Sequence, residues 1–275
     1  MNPLISVDWL VQHIAQENLV ILDCSIDFQI PAEGPKDKEN LIPNSLRFDY
    51  DNVFCDAASP LPHMMPTEAH FNQQAQALGI NQDSVIVVYD NSGTFASPRA
   101  WWMFKAMGHK DVYILDGGLT AWKEAKQPLV QQYKAVTTQG HFAGSLNPTY
   151  FVDARHVSEQ ITNDESQTVD ARSRARFNAE VAEPREGLRS GHIPNAVCQP
   201  FAELMDGHKF KSPQALKPII EANIPDNKQQ YIFSCGSGVT ACIVLVAAAI
   251  CGYHNFAVYD GSWTEWGQDH SLPIE

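Results

Sequence analysis

Basic residues are in short supply. The 275-residue chain carries 19 Lys and Arg against 32 Asp and Glu, a formal net charge of -13. That balance argues against a nucleic-acid surface, which needs a basic face. A small anion would need a local cationic pocket against the background field. Long apolar runs are missing too: the longest, Val239 to Cys251, is broken by Thr240 and falls short of a bilayer span. The opening Met1-Asn2-Pro3-Leu4-Ile5-Ser6-Val7-Asp8 has no basic stretch leading into an apolar one. No secretory signal and no membrane partner are therefore expected, and a cytoplasmic location follows. None of the six cysteines, at 24, 55, 198, 235, 242 and 251, belongs to a Cys-x-x-Cys pair. That removes a zinc ribbon and a thioredoxin-type redox motif. In a reducing compartment most of them read as small apolar core residues. Cys235 is the exception.

What the chain does contain is a core-forming composition, 44% hydrophobic and 19% charged, and one internal repeat. Val20-Ile21-Leu22-Asp23-Cys24 has its counterpart in Gln167-Thr168-Val169-Asp170-Ala171, the two aspartates lying 147 residues apart. Ile42-Pro43-Asn44 returns as Ile193-Pro194-Asn195, and Asp116-Gly117-Gly118-Leu119-Thr120-Ala121-Trp122 as Asp260-Gly261-Ser262-Trp263-Thr264-Glu265-Trp266. Each half begins with a helical segment, Val7 to Ala15 or Ala154 to Ile161, before a short apolar strand ending in Asp. A fully apolar strand comes later, Val85 to Tyr89 or Tyr231 to Ser234, then a loop of small residues and another helix. Apolar strands alternating with helices predict α/β domains, each a parallel sheet with helices on both faces. The expected division is residues 1–130, a polar linker at 131–149 with Gly140, Gly144 and Pro148, and residues 150–275.

In open parallel sheets ligands gather where strands end and helices begin. In the second half that junction reads Cys235-Gly236-Ser237-Gly238-Val239-Thr240-Ala241, with a buried helix expected over Val239 to Ala249. Backbone amides and a helix N-terminus converging on a cysteine favour thiolate, then a persulfide anion. In the first half the same junction starts at Asp90, so only one half has a nucleophile there. A cysteine phosphatase would need an arginine at position 241, where this chain has Ala241. Trp101, Trp102, Trp263 and Trp266 read as core or interdomain packing.

The duplicated plan, this loop and the Asp260–Trp266 segment resemble the tandem rhodanese family over nearly the whole chain. Ser59-Pro60-Leu61-Pro62-His63-Met64-Met65-Pro66, Ser97-Pro98-Arg99-Ala100-Trp101-Trp102-Met103-Phe104 and Glu183-Pro184-Arg185-Glu186-Gly187 strengthen the likeness. Within the family it points to the 3-mercaptopyruvate sulfurtransferase branch. The resemblance implies two rhodanese-like domains, the first inactive and the second catalytic, a site between them, and no organic cofactor or metal. It implies a persulfide on Cys235, with the loop residues Gly236, Gly238, Val239 and Thr240 around the substrate. Arg176 and Arg185 match the family's substrate-binding arginines, whose guanidiniums would fork onto a carboxylate; Arg172, Arg174 and Arg189 receive no substrate role. Ser237, His63 and an acid would move the donor's thiol proton. Asp51 is the candidate acid at the cost of a one-residue insertion, and Asp49 is the alternative. Thiosulfate-specific relatives carry basic residues in the loop after the cysteine. This loop has none, which favours a monoanionic keto acid. A thiosulfate sulfurtransferase and a non-catalytic sulfur-carrier pair remain the alternatives. The implied acceptor is a small thiol, a thioredoxin-like dithiol or cyanide.

Overall fold

The computed structural model describes residues 2–275. The first half forms a five-stranded sheet from β1 (Leu4–Ile5), β2 (Leu19–Asp23), β3 (Ser45–Arg47), β4 (Val85–Tyr89) and β5 (Val112–Leu115), in the order β1-β5-β4-β2-β3. The second repeats it with β6 (Phe151–Val152), β7 (Ser166–Asp170), β8 (Val197–Cys198), β11 (Gln230–Ser234) and β12 (Phe256–Tyr259), in the order β6-β12-β11-β7-β8. Every pairing in both sheets is parallel. The identical strand order is what the sequence repeat predicts. The second half adds a small antiparallel hairpin, β9 (Met205–Asp206) and β10 (Lys209–Phe210).

The central strands are apolar on both faces because helices cover both; Ile86, Val87, Val88 and Tyr89 are all fully buried. The first helix, Val7–His13, is capped by Ser6, whose Oγ accepts from the Trp9 amide at 3.1 Å. It stops short of the expected Ala15, and its counterpart Ala154–Gln160 stops one residue before Ile161.

Helices Ser97–Ala106 and Ala241–Ile250 follow the two equivalent loops and pack against each other. That contact explains why Ala241–Ile250 is apolar all round: nearly every side chain on it is buried. It also brings the two loops to one interdomain seam. The helix begins two residues later than the sequence pattern indicated, because Gly238 takes φ +78° and the chain is still turning there.

Segment 131–149 contains no helix or strand and runs along the first half. Its amides at Lys134, Gly140, Phe142 and Ser145 donate to the carbonyls of Ser45, Gln76, Ile80 and Met107, and Phe142 is fully buried in the first core. Its polar composition reflects backbone pairing against a surface, not freedom. Trp102 crosses the seam, stacking on Tyr150 at 4.5 Å between ring centroids and donating Nε1–H to the Tyr150 carbonyl.

Candidate active site

Strand β11 ends at Ser234, in register with Asp170 at the end of β7. The next residue, Cys235, has its amide anchored on Ser262 Oγ at 3.3 Å. Ser262 in turn donates to the Tyr259 carbonyl at 2.8 Å and holds a positive φ of 50° in the Asp-Gly-Ser turn. The Cys235 carbonyl accepts from the Trp263 amide, and the Gly236 carbonyl from the amide and hydroxyl of Thr264. The loop carbonyls are thus tied down from outside. Its amides are not: those of Gly236, Ser237, Gly238, Val239 and Thr240 donate to no protein acceptor among the described residues. Consecutive unpaired amides in a tight loop make an anion-binding concavity.

The first half shows what such a loop holds. Asp90 stands where Cys235 stands, and its carboxylate accepts from the amides of Phe95 and Ser97 and from Ser97 Oγ. Burial outweighs these bonds and pushes the Asp90 carboxyl up to about 6. The β9–β10 hairpin covers this loop, Phe210 donating its amide to Asp116 Oδ1 at 3.1 Å. Packing there is tight, since a Cβ on Gly93 would meet the His208 carbonyl at 2.8 Å. The first-half loop is filled and closed.

The second-half loop opens instead onto a cavity of about 400 Å³ between the domains. Cys235, Gly236, Ser237, Val239 and Thr240 line its floor, Arg172, Arg176 and Arg185 one side, and Phe28, Ile30 and Phe201 an apolar wall. Cys235 is only 2% exposed, so the cavity is its route to a reactant. Gly238 does not face it: its carbonyl points the other way, to Arg99 and the Cys242 thiol, whose pKa burial raises to about 12. All six cysteines are unpaired.

Arg185 donates to Thr264 Oγ1 at 3.0 Å, so one hydroxyl connects it to the loop. Arg176 is held by Glu183, which also takes Arg172 at 2.8 Å. Arg172, given no role from sequence, lines the cavity over the Trp263 ring and pairs with Asp170 at 2.6 Å.

His63 comes from the other domain with a positive φ of 62°. Its Nδ1 lies 2.5 Å from Asp51 Oδ1, whereas Asp49 pairs with Arg47. Neither His63 nor Asp51 lines the cavity; the His63 ring packs on Phe28, which does, at 5.4 Å between centroids. His63 Nε2 is buried with no partner among the described residues, so no hydrogen bond joins it to Ser237 in this state.

Arg99 was missed by sequence reading. Fully buried at the seam, it donates to the His63 carbonyl, to the Gly238 carbonyl at 3.3 Å and to Asp260 Oδ1 at 2.7 Å. Asp260 Oδ2 accepts from the Met65 amide at 2.7 Å. One arginine and one aspartate therefore lock the His63–Met65 segment of the first domain to the sulfur-side loop of the second. Arg99 and Asp260 both lie in motifs shared with the family, but no local pattern shows that they meet.

The rhodanese-like domain model matches the sequence twice, at residues 6–125 and 153–269. This chain belongs to the rhodanese-like family. It is 37% identical over 278 residues to the 3-mercaptopyruvate sulfurtransferase of Escherichia coli K12, covering 98% of this chain and 97% of that one. It is also 36% identical over 272 residues to the thiosulfate sulfurtransferase of Mus musculus, covering 96% and 91%. Among solved structures, the crystal structure of the 3-mercaptopyruvate sulfotransferase SseA from Escherichia coli superposes with a TM-score of 0.83. That match has 35% identity and covers 96% of this chain and 99% of the other. Two rhodanese-like domains, each a parallel sheet flanked by helices, are thus the fold of this protein. Among the described residues no helix is long and apolar enough to cross a membrane.

Proposed function

We propose that this rhodanese-like protein is a 3-mercaptopyruvate sulfurtransferase that carries sulfur as a Cys235 persulfide. One observation carries the reading: a single cavity holds Cys235 on a loop of unpaired amides, with arginines beside the loop and no Lys or Arg within Gly236 to Thr240. The similar relatives favour mercaptopyruvate over thiosulfate as the donor. The placement of charge favours the keto acid. Cations set to one side suit a donor whose carboxylate lies away from its reacting sulfur.

In this reading Arg176 and Arg185 grip the carboxylate, and the Cys235 thiolate attacks the donor's sulfur. An S–S bond forms as the C–S bond breaks. The C–S electron pair passes into the enolate of pyruvate, which takes a proton at carbon. Ser237 at the cavity floor handles the donor's thiol proton and oxyanion, with the His63–Asp51 pair of the first domain behind Phe28 as its proton relay. The loop amides hold the persulfide anion. An acceptor thiol or cyanide then attacks the outer sulfur and regenerates the Cys235 thiolate, so ping-pong kinetics follow. The family resemblance supports a small thiol or a thioredoxin-like dithiol as the acceptor, and six unpaired cysteines fit a reducing cytoplasm.

The test is intact-mass measurement after mixing with each donor, together with kcat/KM for both donors at saturating cyanide. One added sulfur atom, absent in Cys235→Ser, and a higher kcat/KM for mercaptopyruvate are expected. An equal or higher value for thiosulfate rejects the donor assignment, and a persulfide surviving in Cys235→Ser rejects the nucleophile.

A further inference from the structure

The cavity's charge is set by a residue that does not line it. Apart from Cys235, its ionisable lining residues among the described residues are Arg172, Arg176 and Arg185. Two carboxylates stand behind them. Asp170 pairs with Arg172, accepting from its Nε at 2.9 Å and from Nη2 at 2.6 Å. Glu183 Oε1 accepts from Arg172 Nη1 at 2.8 Å and from Arg176 Nε at 3.1 Å, and its Oε2 pairs with Arg176 Nη2. The Glu183 side chain is 1% exposed, so solvent does little to screen it. Arg185 bonds to a neutral hydroxyl, Thr264 Oγ1. The nucleophile aside, three guanidiniums against two carboxylates leave one positive charge facing the donor.

We propose that Glu183 is a specificity-determining residue: by neutralising part of the arginine cluster, it leaves a site that balances a monoanionic donor and underbalances a dianionic one. The inference rests on the persulfide reading above. Its physical basis is that a half-buried site pays heavily for any charge left without a partner. A carboxylate donor brings one negative charge and is matched. A dianion such as thiosulfate brings two, and one stays uncompensated among apolar walls. Glu183 acts through Arg172 and Arg176 and is a positioning residue, not a catalytic one.

Glu183→Gln keeps the side chain's shape and one acceptor oxygen while raising the site's charge by one. The ratio of kcat/KM for thiosulfate to that for mercaptopyruvate, with cyanide as acceptor, is expected to rise about tenfold, equivalent to about 1.4 kcal/mol. A merely structural role would lower both donors together and leave the ratio alone. Ser173→Asp supplies the opposite change without touching the core. Ser173 lines the cavity, is exposed, and caps the helix Arg174–Phe177 through the Arg176 amide; Asp caps equally well. There the same ratio is expected to fall. An unchanged ratio in Glu183→Gln, or one that holds or rises in Ser173→Asp, overturns the proposal; if Glu183→Gln does not fold, Ser173→Asp decides. Should the unmodified protein fail to use mercaptopyruvate at all, the donor reading falls, and the charge argument is judged separately. Calorimetric binding of pyruvate and sulfate to Cys235→Ser, with and without Glu183→Gln, then supports it if sulfate tightens more, and overturns it if both tighten equally.

Discussion

Replacing Arg99 by Met keeps much of the side chain's volume and removes its charge. The guanidinium is fully buried, lies 4.4 Å from the centre of the Phe151 ring, and serves three acceptors on three chain segments. Without it, Asp260 keeps only the Met65 amide, and the carbonyls of His63 and Gly238 lose a donor. Removing one partner of a buried ion pair costs about 3–5 kcal/mol because the other charge stays behind unpaired. With a urea dependence of about 3 kcal/mol per molar, the unfolding midpoint should fall by at least about 1 M. The double variant Arg99→Met/Asp260→Asn should recover part of that loss, the two changes being non-additive by about 0.5–3 kcal/mol. Urea titration followed by both tryptophan fluorescence and far-UV circular dichroism measures it. A loss below about 1 kcal/mol, or strict additivity, would refute the view that this pair locks the domains.

Two further outcomes follow from the same geometry. Burial raises the Asp90 carboxyl from 3.8 to about 6, so between those values the folded chain keeps a proton that the unfolded chain has released. Its contribution to stability is therefore complete below pH 3.8 and lost as pH rises through about 6; relative to Asp90→Asn, the unmodified protein should lose stability from pH 4 to 7, and a parallel pair of midpoint-versus-pH curves would contradict this. Thr264→Val removes the hydroxyl joining Arg185 to the Gly236 carbonyl but leaves the Thr264 backbone amide bond in place; the loss of about 0.5–1.5 kcal/mol should raise KM for mercaptopyruvate roughly twofold to twelvefold with kcat little changed, and steady-state kinetics showing the reverse split would count against Arg185 as a donor anchor.

How much of this could be read from the chain depended on the range of the contacts. Strand–loop–helix order, the repeat and the identity of Cys235 are encoded within short windows, through apolar runs that can only be central strands and a glycine-rich turn at a strand end. The two equivalent loops differ by one decisive residue, Asp90 against Cys235, and that contrast was visible without coordinates. Arg176 and Arg185 were reached only through likeness to a family, since nothing local separates them from Arg172, which the fold also brings to the cavity. Contacts between the halves lay beyond reach. Arg99 meets partners 36, 139 and 161 residues away, and no periodicity or propensity carries that information. The course of the 131–149 segment was out of reach for a related reason: a polar stretch without periodicity looks the same whether its amides face water or another segment's carbonyls. Local sequence determined where a thiol could sit in a ring of amides, because backbone turns are set by neighbouring residues. Which cations stand around that thiol was decided by the tertiary fold of the second domain, and which residues of the first domain wall the cavity by two helices packing across the seam.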